Sequence, residues 1–540
     1  MANDYQQDGD VQFVGLNSRD NPAALPKGIV NQSQNFRLDR GVATVRKGLQ
    51  RKTASVLVGQ QIYGSGCYLD STGQEIIILV VTNGIYTYNP QTEALSAKIN
   101  FPSGETVTSS VGVDVVGAID KVYISRGHEK RPLAWDLNVT ITAFPTSGTG
   151  NAFPNCIGLL YYCNRMLAIG QDHNEGYTAV NHPRTRDTVC VSNYLDFNNW
   201  DIADAFTFNQ GSNDEVVAVS PWTLNEFIVF MRNSIYYTNI GLGRYAYSDP
   251  LGTDSFVKTL VSDIGCMAKR SVVQADGGII FLSDTGVYFM SPSQVGSNES
   301  MRLLTQAEPL SAPINDVIQR INRNYANRAV ASYWNGRYYL AVPLDDSTAN
   351  NAVLVFNFIL KQWESVDVYP AGFDALNFVV AKKDNQRRLF VIDNDEGIFL
   401  MEQLDWDEYG AAIGTPILPF YLPATISPSS FQKNQINAVL RTRSYTFNTY
   451  SDKRYTNSEV NYQFQAGSHI EAYADISNQD SIEHIDNYGS PTDNDETRRT
   501  PIRRYGTSMQ LRFIADNLRP SIRSAFVYAT VKVKNIISKK

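Results

Sequence analysis

The residues with most chemistry to offer are acids gathered at predicted turns. They are Asp345-Asp346, then Asp393, Asp395 and Glu396, then Asp405, Asp407 and Glu408. Paired carboxylates can move protons, hold a cation or set up a repulsive field. Glycoside hydrolysis needs two of them facing each other across a cleft, and no linear spacing here pairs them that way. The histidines, His128, His173, His182, His469 and His484, form neither H-E-x-x-H nor a His-x-His pair. His173 and His182, beside Asp172 and Glu175, read as a polar loop rather than a metal site. Cys67, Cys156, Cys163, Cys190 and Cys266 are odd in number and lack C-x-x-C spacing. They read as reduced, buried thiols, not as a disulfide framework or zinc site. There is no G-x-S-x-G and no Walker sequence, and Gly241-Leu242-Gly243 lacks the rest of a dinucleotide fingerprint. The expectation is a non-enzyme with no cofactor and no metal.

The elements that must position these acids are short strands. Apolar residues make up 43% of the 540, charged ones 19%, and Tyr (30) and Phe (25) abound, a composition that suits half-buried pleated surfaces. One pattern recurs: strand, polar turn, strand carrying an aromatic. It appears at 76–88 with Asn83-Gly84 as the turn, and at 279–289 around Asp284-Thr285-Gly286. It appears again at 389–400 from Asp393 to Gly397, and at 227–237 around Arg232-Asn233-Ser234. Looser units follow at 113–136, at 157–169, at 329–342 with Asn335-Gly336, and at 352–363. A period of about 40–60 residues predicts radial blades, six or seven of them, because a small sheet cannot shield both faces alone. Ser283-Asp284-Thr285-Gly286 echoes a sialidase repeat without its closing Thr-Trp. Trp135-Asp136, Trp200-Asp201 and Trp406-Asp407 match the WD dipeptide without the upstream Gly-His.

The predicted fold is therefore all-β: a β-propeller over 56–405, a linker over 406–432, and a β-sandwich-like platform domain over 433–540. An extended amino-terminal arm, 1–55, carries a hairpin at Asp39-Arg40-Gly41 and joins the platform. Alternating stretches such as Ser458–Ala466 and Ser524–Lys534 support half-exposed antiparallel strands. The polar segment 478–500 reads as a long mobile loop. One helix is predicted over 312–323, from Ser311 as N-cap and the spacing of Ile314, Val317, Ile318 and Ile321. No run approaches the roughly 20 apolar residues of a membrane span, and the start of the chain does not read as a signal peptide.

Three stretches together resemble the nozzle, or tail tubular, proteins of short-tailed bacteriophages. The first is Asn21-Pro-Ala-Ala-Leu-Pro-Lys-Gly28, Asn35-Phe-Arg-Leu-Asp-Arg-Gly41 and Val45-Arg-Lys-Gly-Leu49. The second runs from Arg186 through Ser192 and Asp196 to Trp200. The third comprises Arg441-Thr-Arg-Ser-Tyr-Thr-Phe447, Lys453-Arg-Tyr455 and Arg503-Arg-Tyr-Gly506 leading into Met509–Phe513. The resemblance implies a homohexameric tube in the virion tail, assembled in the host cytoplasm. It would lie below the portal and adaptor rings, touch tail fibre or needle proteins, retain the genome and conduct double-stranded DNA without reading its sequence. Net charge is −7, so six copies would carry about 42 excess negative charges, a field that would keep duplex off a channel wall. On this reading Asp393, Asp395, Glu396, Asp405, Asp407 and Glu408 face the lumen or stand at loop tips. Arg46, Arg443, Arg504 and Arg512 pair with carboxylates across subunits, because Arg fixes orientation through bidentate bonds. The competing reading is a receptor- or glycan-binding propeller of a tail fibre or tailspike.

Overall fold

The computed structural model describes residues 5–53, 57, 60–119, 121–128, 130–138, 140–144, 153–169, 186–209, 214–222, 226–240, 256–261, 263–293, 302–305, 308–412, 431–477 and 482–531. The chain is all-β, with many small antiparallel sheets. The strands Ile62–Leu69, Glu75–Val81, Gly84–Asn89 and Ala94–Leu95 form the first sheet, and Ile99–Asn100 also pairs with its third strand. The second sheet is Val115–Ala118, Lys121–Ile124, Leu133–Trp135 and Ile141–Ala143. The third is Gly158–Tyr162, Arg165–Ile169, Thr188–Asn193 and Asp196–Thr207. The fourth is Val216–Pro221, Glu226–Met231, Ile235–Asn239 and Phe256–Val261, and the fifth is Val273–Ala275, Gly278–Ser283, Gly286–Ser293 and Arg302–Thr305. Val330–Trp334, Arg337–Val342, Ala352–Asn357 and Gln362–Val368 make the sixth. The seventh takes Ala375–Lys383, Gln386–Asp393 and Gly397–Leu404, and its fourth strand is Gly48–Arg51 from the amino end.

These sheets hold one another. Central strands such as Glu75–Val81, Glu226–Met231 and Gly278–Ser283 are buried on both faces almost throughout. That is why they read as unbroken apolar runs rather than as alternation. Val80 and Ile85 pack against Val122 and Leu133, and Tyr123 against Leu159 and Trp200. Leu167 and Val189 meet Phe227 and Val229, and Ile228 and Phe230 meet Phe281 and Tyr288. Ile280 and Leu282 share a core with Tyr338 and Leu340, and Tyr339 and Val353 share one with Leu389 and Phe399. Phe390 and Ile398 then pack on Ile77 and Leu79 of the first sheet, so the order returns to its start. Each large apolar side chain buried this way contributes about 1.5–3 kcal/mol.

The remaining strands make two larger sheets around one shared core. One joins Asn494–Gly506, Lys453–Phe464, Ser521–Val531, Val42–Val45 and Phe36–Asp39, with Tyr5–Asp10 also paired to Ser521–Val531. The other continues the sixth small sheet through Gln32–Gln34, Ala438–Arg441, Met509–Asn517, His469–Ile476 and Glu483–Gly489. Val460, Tyr462 and Phe464 face Leu511, Phe513 and Ala515 with the two-residue period of a strand.

Several expectations change. The arm does not stay on one side of a boundary at residue 55: Gln32–Gln34 bridges the sixth sheet to the carboxyl strands, and Gly48–Arg51 completes the seventh. The linker is partly a ribbon, Asp407–Ala412 with Phe431–Asn434, while 413–430 lies outside the described residues. The segment expected as a mobile loop forms strands Glu483–Gly489 and Asn494–Gly506. Most of its residues are polar and half-buried or exposed, with Ile485 and Tyr488 alone of strand Glu483–Gly489 packed on the core, so its apolar signal is weak.

The helix predicted over 312–323 is a 3-10 turn, Ala312–Ile314, followed by five α-helical residues, Asn315–Gln319. The Ser311 hydroxyl accepts the Val287 N–H (2.9 Å) instead of capping the helix, and Ile321 goes to a bridge with Leu344. Ile314, Val317 and Ile318 are core residues, so this is not a surface helix.

Candidate functional site

The arm from Gln32 to Arg51 runs along the junction between the ring of small sheets and the carboxyl strands. Its hairpin turns at Arg40 and Gly41, both with positive φ (51° and 83°), as an Arg-Gly turn permits. Either side of that turn, strand alternation sends Phe36, Leu38, Ala43 and Val45 into the shared core. Arg37, on the opposite face, reaches the sixth and seventh sheets. Its guanidinium donates to both Asp367 oxygens (2.9 and 2.6 Å) and to Glu402 Oε1 (3.0 and 2.5 Å). Asp367 is fully buried and also accepts the Ser365 hydroxyl, at 2.7 Å.

Arg46 is only 1% exposed. It grips Asp407 with two bonds (2.9 and 2.7 Å), donates to Asn35 Oδ1 (3.0 Å) and Val368 O (3.2 Å), and lies 4.1 Å from the centre of the Tyr369 ring. Burial pulls the Arg46 pKa down, but the facing Asp407 outweighs it and the net shift is upward. Arg51 binds Glu396 (2.5 Å) and the Gly410 carbonyl (3.2 Å). Glu364 accepts the Leu38 N–H (2.6 Å) and an Arg337 bridge (2.7 Å). Asn35 is the pivot: its φ is 58°, and its Oδ1 also accepts the Val368 N–H (2.9 Å) while its Nδ2 donates to Asn437 O (2.7 Å). Gly48 has a packing reason, since a Cβ there would run into the Trp406 carbonyl.

A seam of this kind can hold parts in register. Breaking a buried pair by removing one partner costs about 3–5 kcal/mol, because the other charge is stranded away from water.

The sequence-based assignments divide accordingly. Arg46 pairs inside the chain, not across subunits. So does Arg443, which holds Asp8 (2.6 Å) and Asp10 (3.0 Å) and thereby locks the strand Tyr5–Asp10, while Tyr445 donates its hydroxyl to Asp10 (3.0 Å). Arg504 binds Glu483 (2.6 Å) at the surface. Arg512 sits between Arg441 and Tyr473 in the nine-stranded sheet.

Among the acids, Asp407, Glu396 and Glu408 face the seam; Glu408 is 6% exposed and accepts the Arg51 N–H (3.2 Å). Burial pushes the Glu408 carboxyl up. Asp393 is fully buried and staples its turn by accepting N–H groups of Asp374 (2.9 Å), Asp395 (3.0 Å) and Glu396 (3.0 Å). Burial, working against those bonds, pushes its carboxyl up to about 7. Asp405 is half-buried, with Gln465 donating to it at 3.4 Å. Only Asp395 of the six is an exposed tip. Asp393, Asp407 and Glu408 are thus buried within the chain rather than standing at loop tips.

Sequence reasoning missed Arg37, Glu364 and Asp367. Their signal was present, charged residues set between apolar ones in Phe36-Arg37-Leu38 and Trp363-Glu364-Ser365-Val366-Asp367, but no spacing says which acid meets which base. Among the described residues no group of three or more His, Cys, Asp or Glu could hold a metal; His173 and His182 lie outside them. No described helix is long and apolar enough to cross a membrane.

No family model matches the chain, and no curated protein matches it. Among solved structures, a chain titled "Crystal Structure of Mitotic Checkpoint Complex" is similar at 10% identity with a TM-score of 0.37, over 66% of this chain and 94% of that one.

Proposed function

We propose that this chain is a seven-bladed β-propeller fused to a platform, and that it serves as the subunit of a hexameric tail nozzle in a short-tailed bacteriophage. The blade reading is supported by seven units of four or five strands whose packing order closes on itself. The function is that of a stiff building block that extends a DNA channel, retains the genome and lets duplex pass. One observation carries it: within the arm stretches behind the phage resemblance, Asn35, Arg37, Arg46 and Gly48 are residues of the buried seam. A subunit loaded by a pressurised genome needs its ring and platform to move as one body, and buried bidentate ion pairs resist sliding. Side chains already satisfied within the chain leave subunit contact to other surfaces, with Arg504 one exposed candidate.

The test is the composition of purified particles carrying this chain. Quantitative mass spectrometry should find six copies per particle, and detergent-released tails should yield a ring of about 360 kDa from a 60.3 kDa chain. A chain absent from particles, or one that stays monomeric and binds a glycan array, would replace this reading with the receptor-binding one.

A further inference from the structure

The first strands of the small sheets converge on an axis, and a cavity of about 220 Å³ opens there. Two side chains close its floor. Arg270 leaves the start of the fifth sheet and donates to Leu376 O in the seventh (3.0 Å) and to Val113 O beside the second (2.5 Å). Lys269 reaches across to Asp114 and to Ile157 O (2.8 Å). Gly158 has no side chain because a Cβ there would strike the Lys269 ammonium. The same cavity is lined by Arg186, Arg232 and Arg328, and Glu215 is its acid. Lys269 is matched by Asp114, Arg328 by Asp374 (2.6 Å) and Arg186 by Glu215 (3.6 Å). Among the described residues no carboxylate forms an ion pair with Arg232 or Arg270; Asp114, paired with Lys269, acts on Arg270 only from further off. Arg270 spends two of its five N–H donors on backbone carbonyls. The wall also carries Asn350, 1% exposed, whose Oδ1 has no hydrogen-bond partner among the described residues.

We propose that this axial cavity binds a phosphate group, as free hydrogen phosphate or as a small phosphomonoester. Two guanidinium groups that no carboxylate contacts, in a concave place, favour a compact oxyanion. The buried Asn350 acceptor suits an anion that still carries a P–OH proton. This inference stands apart from the nozzle reading: a ring of six could form with the cavity empty, and a monomer could fill it.

The test is calorimetric titration of the full-length chain at constant ionic strength and about pH 5.5, below the second pKa of about 6 of a phosphomonoester so that phosphate and the monoester both keep a P–OH proton, with sodium phosphate, glycerol 3-phosphate and sodium sulfate. The expected result is saturable binding of one phosphate per chain, weakened about tenfold or more in Arg232→Gln and unchanged in Arg523→Gln, whose partner is the exposed Asp495. Arg232 is exposed, so its replacement leaves the fold intact; Arg270→Gln, checked by circular dichroism, serves as the second variant. Tighter binding of glycerol 3-phosphate than of phosphate assigns the monoester as the occupant, and the reverse assigns the free ion. Sulfate, with no proton for Asn350, binds more weakly. Absence of saturable heat up to about 10 mM phosphate, equal affinity for sulfate, or unchanged affinity in both Arg232→Gln and Arg270→Gln overturns the proposal.

Discussion

Replacing Arg46 by methionine keeps most of the side-chain volume but strands the Asp407 carboxylate. Asp407 is 2% exposed, and after the substitution its one remaining donor among the described residues is the Leu49 N–H at 3.0 Å. Arg46 also loses its bonds to Asn35 and Val368, leaving those polar atoms short of a donor. A buried pair broken on one side costs about 3–5 kcal/mol. A chain of this size need not unfold in one step, so a global midpoint would blur that cost. Hydrogen exchange at the Lys52 amide, which donates to Ile398 O across the seam (2.9 Å), reads it locally. Arg46→Met should speed exchange there by about two to three and a half orders of magnitude, the kinetic equivalent of that energy. Asp407→Leu should do the same, and the double variant Arg46→Met/Asp407→Leu should recover most of the loss, because an apolar pair of similar volume strands no charge. Exchange within a factor of ten of wild type in Arg46→Met, or additive losses in the double variant, would refute the idea that this ion pair welds the arm to the ring.

Other outcomes follow from the same geometry. The Asp393 carboxyl, raised by burial from 3.8 to about 7, holds its proton more tightly folded than unfolded. Its contribution is therefore full below about pH 4 and is lost as pH rises to about 7, on the order of 4 kcal/mol at the limit. The stability difference between wild type and Asp393→Asn, from melts at several pH values, should shrink over that window; a flat difference contradicts it. Gly48→Ala drives a methyl into the Trp406 carbonyl and should cost about 1–3 kcal/mol. Hydrogen exchange of the Gly48–Arg51 amides should rise while that of Ala438–Arg441 does not. Arg443→Ala strands Asp8 and Asp10, so amides of Tyr5–Asp10 should exchange faster while those of the seventh sheet do not change.

Much of the local structure was legible in the chain. Asn335-Gly336 forms the expected turn with φ of 50° and 75°, and register Trp334↔Arg337 confirms its two-residue length. Strand-turn-strand units are decided by neighbours within a dozen residues, so a sequence can announce them. Asn83-Gly84 shows where local reading fails. The register pairs Val81 with Gly84, placing the turn at Thr82-Asn83. Gly84 is needed because a Cβ would lie 2.5 Å from the Ile99 carbonyl of the strand beside it, a constraint set by packing rather than by the turn.

What the sequence by itself determined is the repertoire: short twisted strands, turn chemistry and a repeating unit too small to stand alone. Only the tertiary structure decided that Gly48–Arg51 would close a sheet begun more than 300 residues later, and that Arg46, Arg443 and Asp407 would be spent on internal pairs. The physical reason is one of range. Turns and alternation are written in bonds and sterics between near neighbours. The partner of a buried charge is whichever opposite charge the folded chain carries to within about 3 Å of it, and linear spacing does not encode that meeting.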